Sequence, residues 1–249
     1  MTDELLYCVM ELGEKMVATG AEIRRVEDTM GIVCRAYGAK KVDVFSTTSL
    51  LIATAIAENG TVLNQTRRIQ ASGSNIAKLD ALNKLARYMK EKRPDVAEVQ
   101  KRLEEIEQVK NYGIISLILG YALVAGAFTV FFGSRSFTET LVSTLIGGLL
   151  GVLTIFGERL GMQKPFLKLI CSFIACSLAF ASTAHPSIDT VDLIIIGNIM
   201  TLIPGVGLTN ALRDLFTGDV ITGILRSIEA LLLGAVIAFG YVTAAFIFG

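Results

Sequence analysis

The chain has 249 residues with 23 basic and 23 acidic side chains, a balance that gives no reason to expect a nucleic-acid partner. Its four cysteines have no metal-ligand spacing and only one histidine accompanies them, so neither a zinc site, another metal, a cofactor nor a disulfide is expected. The charge is unevenly placed: residues 1–110 hold 17 Lys/Arg and 16 Asp/Glu, leaving 6 and 7 for the rest, a density too low for a water-soluble domain.

The first residues lack a basic start leading into an apolar run and carry Asp3, Glu4, Glu11 and Glu14 instead, so no secretory leader is read there. Apolar residues at Leu5, Leu6, Val9, Leu12, Met16 and Val17 predict an amphipathic helix over 5–19, stopped at Gly20. Ile23, Val26, Met30, Val33 and Cys34 predict a second helix over 22–37, with Gly38 as its stop. Runs rich in β-branched residues follow at 42–47, 50–57 and 61–65, and Asn59-Gly60 between the last two is a hairpin signal. Helical spacing returns at Ile76, Leu79, Leu82, Leu85 and Met89, is interrupted by Pro94, and resumes over 96–110. The front part, 1–110, is thus expected to be a small cytoplasmic α/β (α+β) domain.

From residue 111 the chain reads as a polytopic α-helical membrane domain. Candidate spans lie near 112–132, 140–157, 166–184, 191–208 and 222–248, each long enough for a hydrocarbon core of about 30 Å. Backbone amides there have no water to bond, which requires helices. Arg159, Lys164 and Lys168 at the second connection, with Arg213 and Arg226 at the fourth, outnumber the lone Arg135 of the first, and the third has no Lys or Arg. The bias places the front domain in the cytoplasm and the C-terminus outside an inner membrane.

The stretch richest in chemistry is 198–229. Pro204 removes an amide hydrogen bond inside the fourth span, and with Gly205 and Gly207 it predicts a broken helix. Asn198 and Thr201 precede the break, and Thr209, Asn210 and Arg213 follow it, a polar group suited to hold a small solute. Glu229 is the first candidate proton carrier and Asp214 the second, and Arg226 and Glu229, three residues apart, also suit a helix-end ion pair. In the front domain Glu22, Arg25, Glu27 and Asp28 crowd a helix start, either as a dipole-matched face or as a docking surface. The run 46–49, Ser-Thr-Thr-Ser, reads as a turn or a hydroxyl-lined pocket. Gly147, Gly148 and Gly151 leave a smooth face for a neighbouring helix.

Two motifs together resemble the threonine/serine exporter family, in particular its subunit type that carries the N-terminal domain. The first is G-A-E-I-R-R-V-E-D over 20–28; the second is P-G-V-G-L-T-N-A-L-R-D-L over 204–215, followed by Gly218-Asp219 and by Arg226 and Glu229. The resemblance implies proton-driven export of small amino acids such as threonine and serine, or of small dicarboxylates such as succinate. It further implies a split transporter, in which a small membrane subunit joins this chain in the bilayer. A membrane-anchored sensor or scaffold whose front domain binds a partner is the alternative. Catalysis by the front domain is disfavoured, since it has no histidine and no Cys-His or Ser-His arrangement.

Overall fold

The structure is a computed structural model and describes every residue except 71, 72, 74, 110 and 111. The expected domain boundary at 110/111, and the expected end of the helix over 96–110, lie outside the described residues.

Helix α1 (Asp3–Ala18) starts where the Thr2 hydroxyl accepts the Leu5 amide, and α2 (Ile23–Ala36) follows a turn through Gly20 at φ 94°. Three antiparallel strands come next, β1 (Ala39–Ser46), β2 (Leu50–Ala57) and β3 (Val62–Arg68), in the order β1-β2-β3. The Asn59-Gly60 hairpin forms as expected, with Gly60 at φ 85° and Ile56 opposite Val62. The Ser-Thr-Thr-Ser run is the β1–β2 turn: the Thr47 hydroxyl accepts the Ser49 and Leu50 amides and the Thr47 amide donates to the Leu50 carbonyl. Helix α3 (Ile76–Lys92) is capped by Asn75, and α4 (Val96–Glu107) by Asp95 directly after Pro94.

These elements enclose one core. Leu6, Met10, Leu12 and Met16 of α1 meet Ile23 and Met30 of α2, Leu51 of β2, Leu82 and Met89 of α3 and Leu103 of α4, all sealed from solvent. Each such side chain contributes about 1.5–3 kcal/mol by leaving water. Gly13 sets the distance between layers, because a Cβ there would lie 3.1 Å from a Leu51 methyl. Burial pushes the Cys34 thiol up to about 12, so it is an inert core residue.

Four later helices are predominantly apolar, with their few charged residues toward the ends: α5 (Ile114–Phe131), α6 (Phe137–Arg159), α7 (Lys164–Ser182) and α8 (Val191–Leu202). Next come α9 (Gly205–Thr217) and α10 (Val220–Phe248). Among the described residues α5, α6, α7 and α10 are each long and apolar enough to cross a membrane, and α8 with α9 makes a fifth crossing if the pair is one broken span. The fourth span, expected over 191–208, is therefore two helices. Ile203 leaves the helical region at φ −67°, ψ 133°, the conformation that a following proline imposes.

The chain divides into two compact units. One comprises Met1–Lys110 with Val206–Ser227, and the other Asn111–Gly205 with Ile228–Gly249. The second is a helical bundle whose α5–α6 seam is made of small residues. A Cβ on Gly147 would stand 2.8 Å from the Tyr121 carbonyl oxygen, and one on Gly151 would stand 3.2 Å from the Ile118 Cα. Backbones this close gain dispersion contacts that a bilayer cannot supply. The carboxylate of Glu139, 2% exposed, accepts from the Ser134 hydroxyl, the Asp189 and Thr190 amides and the Thr190 hydroxyl, tying the α5–α6 turn to the α7–α8 loop. Large apolar side chains such as Leu123, Leu145, Phe156 and Phe246 point outward, as lipid contact requires. Gly147→Leu is expected to force α5 and α6 apart and to lower the melting temperature of the detergent-solubilised protein sharply, whereas Gly148→Ala, whose Cβ meets only Ala122 at 3.6 Å, leaves it nearly unchanged.

Candidate functional site

The first motif and the part of the second from Asn210 to Arg226 meet inside the first unit. The turn between α1 and α2 exposes the carbonyls of Gly20 and Ala21, because Gly20 adopts a left-handed conformation and Glu22 is extended at φ −67°, ψ 133°. Helix α9 lies on this turn. The Asn210 amide donates to the Gly20 carbonyl at 3.2 Å, and the Arg213 guanidinium pairs with Glu22 at 3.2 Å. From α2, Arg24 donates to the Thr217 carbonyl at 3.0 Å, where α9 ends.

The centre of the contact is a buried ion pair. Asp214 is wholly buried, and its Oδ2 accepts from Arg226 Nη1 at 2.7 Å; the Arg226 side chain is 11% exposed. The other arm of the guanidinium, Nη2, donates to the Ala21 carbonyl at 3.1 Å. Arg226 thus joins three segments of chain, α10, α9 and the α1–α2 turn. Gly218 makes this possible: at φ 96° it reverses the chain between α9 and α10, and Gly223 lets them touch, since a Cβ there would lie 2.8 Å from the Leu215 amide nitrogen.

The acidic side of the site is under-satisfied. Asp214 Oδ1 and Asp219 Oδ2 are buried with no hydrogen-bond partner among the described residues. On the α2 side, Glu27 accepts the Ser46 amide at 2.7 Å. Burial pushes the Glu27 carboxyl above its usual range despite that hydrogen bond, with Asp219 and then Asp28 adding to the rise. A carboxyl raised on folding binds its proton more tightly in the native state. Its contribution is therefore complete below the unfolded value and lost as pH rises through the folded one. Melting temperature is accordingly expected to fall as pH rises above about 4.5, and Glu27→Gln to flatten that fall.

The expected site residues fall into three groups. Asn210, Arg213, Asp214 and Arg226 come together with Glu22 and, through Asp219, with Glu27. Asn198 and Thr201 belong to the bundle: Asn198 is buried against Ser143, and the Thr201 hydroxyl donates to the Asn198 carbonyl at 2.7 Å. Gly205, Gly207 and Thr209 are exposed and Pro204 is half-buried at the break, while Arg25 and Asp28 are exposed on α2. The expected Arg226–Glu229 pair is not the one formed. Arg226 turns to Asp214, where burial makes an unpaired carboxylate most costly, and Glu229 is exposed and in no ion pair among the described residues. The sequence marks Asp219 as part of the late motif but not the burial of its carboxylate, and the strut at Glu139 was not read from it. Each had a signal, the first in its place after Gly218 and the second in the Ser136-to-Glu139 spacing of a capping box. Among the described residues, no group of three His, Cys, Asp or Glu could hold a metal ion.

An α-helical membrane protein of several spans, with a small α/β unit that holds a polar motif from its late helices, is the class that this fold and site define. The ThrE threonine/serine exporter family matches residues 7–248, and the chain belongs to that family. It is 26% identical over 237 residues to the "Threonine/serine exporter" of Corynebacterium glutamicum, covering 91% of this chain and 48% of the relative. It is 24% identical over 242 residues to the "Probable succinate transporter subunit YjjP" of Klebsiella aerogenes, covering 92% and 88%. A "Probable threonine/serine exporter" of Mycobacterium tuberculosis is 22% identical, with 96% and 45% covered. The chain therefore spans about half the length of the threonine/serine exporters it matches and most of the succinate transporter subunit. No solved structure matches it.

Removing one partner of a buried ion pair leaves the other charge uncompensated, at about 3–5 kcal/mol, whereas exposed pairs contribute about 0–1 kcal/mol. Asp214→Ala is therefore expected to release α9 and become sensitive to proteolysis near Thr217, while Glu22→Gln, opposite an Arg213 that is 64% exposed, leaves cleavage close to the native pattern.

Proposed function

We propose that this chain is one subunit of a proton-coupled exporter of a small hydrophilic solute, threonine or serine, or a dicarboxylate such as succinate. In this reading the α/β domain lies in the cytoplasm, the C-terminus lies outside the inner membrane, and a small membrane subunit completes the pathway. The solute is held around the broken fourth crossing by Asn198, Thr201, the backbone from Pro204 to Gly207, Thr209, Asn210 and Arg213. Helix ends freed by such a break offer unpaired amides and carbonyls to a solute. The names of the similar proteins support both solute classes, and the words "transporter subunit" support a partner.

The observation that carries the reading is Asp214. It is a buried carboxylate that holds Arg226 with one oxygen and leaves the other without a hydrogen-bond partner among the described residues, at the point where the two family motifs touch. Protonating Asp214 weakens its hold on Arg226, and the Ala21 carbonyl then retains the guanidinium alone. A proton taken up here changes the grip of the α1–α2 turn on α9, which couples protonation to the motif next to the break. Asp214 thus has the better claim to the proton than the exposed Glu229. The role of the α/β domain is then to position this carboxylate.

The test is efflux of labelled serine, threonine and succinate from cells with and without this chain, expressed with any small membrane protein encoded beside it. Asp214→Asn, present in the membrane at native level, is expected to abolish efflux driven by a pH gradient, and Glu229→Gln to retain most of it. Full coupled efflux from Asp214→Asn removes Asp214 from the mechanism. Native rates from this chain alone in vesicles remove the partner.

A further inference from the structure

Helix α9 has two unlike faces. Asn210 and Asp214 lie on one of them and make the contacts to the α1–α2 turn and to Arg226. Leu208, Leu212 and Phe216 recur every fourth residue, two positions out of step with that pair, and so share the opposite face. All three are exposed, Phe216 to 88%. The apolar surface does not stop where α9 stops. Ile221, Ile224 and Leu225 are exposed along the first turns of α10, and Leu231 and Leu232 carry the same stripe onward. A contiguous apolar patch of this kind marks a contact site.

The course of the chain names what covers it. Only Ile203 and Pro204 separate α9 from α8, and only Gly218 and Asp219 separate it from α10. Helix α9 is thus tethered at both ends to apolar membrane helices. At about 1.5 Å per residue the 29 residues of α10 span about 44 Å, about 14 Å more than the hydrocarbon layer requires. The part of α10 that groups with the α/β domain runs from Val220 to Ser227, close to the length of that excess. These first turns therefore emerge into the headgroups. Gly223 packs against Leu215, which sets α9 at the level of the same turns.

We infer that α9 is an interfacial helix, whose Leu208, Leu212 and Phe216 rest at the boundary between lipid headgroups and acyl chains while its opposite face holds the α1–α2 turn. This goes beyond the transport reading and does not depend on it. Such a helix buries its apolar face about 5–10 Å into that boundary and turns its polar face away from it. The polar face of α9 is already taken by the α/β domain, so α9 is the piece that seats this domain on the bilayer. The charged groups beside the stripe, Arg213 and Glu229, are both exposed, within reach of headgroups and water.

The chain contains no tryptophan, so a single one introduced by substitution reports on its own surroundings. The experiment uses the full chain in phosphatidylcholine vesicles whose acyl chains carry bromine at a shallow or a deep carbon, with acrylamide as the quencher from water. Phe216→Trp probes the stripe, and Leu212→Trp probes it one turn earlier should the first variant not fold. Phe45→Trp on β1 and Phe239→Trp in α10, both exposed, are the references for the α/β domain and for depth in the layer. Phe216→Trp is expected to be quenched more by shallow than by deep bromine, Phe239→Trp in the reverse order, and Phe45→Trp by acrylamide alone. If Phe216→Trp behaves as Phe45→Trp does, the stripe lies in water and the inference is overturned. If it behaves as Phe239→Trp does, α9 runs inside the hydrocarbon as half of one crossing, which overturns it equally. Loss of lipid quenching when a small membrane protein encoded beside the chain is reconstituted with it gives the stripe to that protein and overturns the lipid assignment; unchanged quenching upholds it.

Discussion

Within the first compact unit, three separate segments of chain are held by one guanidinium. Arg226 lies at the start of α10, is nearly enclosed, and spends one arm on Asp214 of α9 and the other on the Ala21 carbonyl of the α1–α2 turn. A buried cation with a single partner would be a liability, because desolvation of two charges is seldom repaid by their attraction alone. Here the backbone carbonyl supplies the second acceptor. That carbonyl is free of helical bonding because Gly20 turns the chain left-handed between α1 and α2, while Ala21 itself stays in the core. The G-A-E segment and the R-D-L segment are two halves of one contact, which gives a physical reason for their occurrence in the same chain.

That contact also organises the charges around it. Arg213 with Glu22 and Arg24 with the Thr217 carbonyl form an outer ring that is half in solvent, so they set the register of α9 more than they hold it in place. The inner acids are different. Asp214 and Asp219 keep oxygens without donors among the described residues, and the Glu27 carboxyl is raised by burial and by Asp219. Negative charge in this corner exceeds what the described donors satisfy.

Much of the fold was legible in the sequence for local reasons. Gly20, Gly38 and Asn59-Gly60 mark the ends of α1, α2 and β2 because each turn needs a backbone conformation that glycine alone adopts without strain. The apolar spans were legible from hydropathy, and Pro204 from its missing amide. What was not legible is pairing at a distance. The i,i+3 spacing of Arg226 and Glu229 is a valid local signal, yet the tertiary partner Asp214, twelve residues away, is the one with no access to water. Likewise Asn198 was legible as a polar residue in a span, but Ser143, 55 positions earlier, was not, since nothing in the spacing of α6 sets it apart from its neighbours Thr140 and Thr144. Spacing reports which residues share a helix face; the neighbours of that face are set by packing.

The break at Ile203 and Pro204 has an electrical side as well. Helix α8 has 12 residues and is therefore about 18 Å long, against an apolar layer about 30 Å deep. If one of its ends reaches the aqueous boundary, the other stops part of the way through. Its C-terminal end carries the negative pole of the peptide dipoles, roughly half an elementary charge. A truncated helix of this kind sets a fixed field within the layer, one that draws a cationic group inward and pushes a carboxylate back toward water.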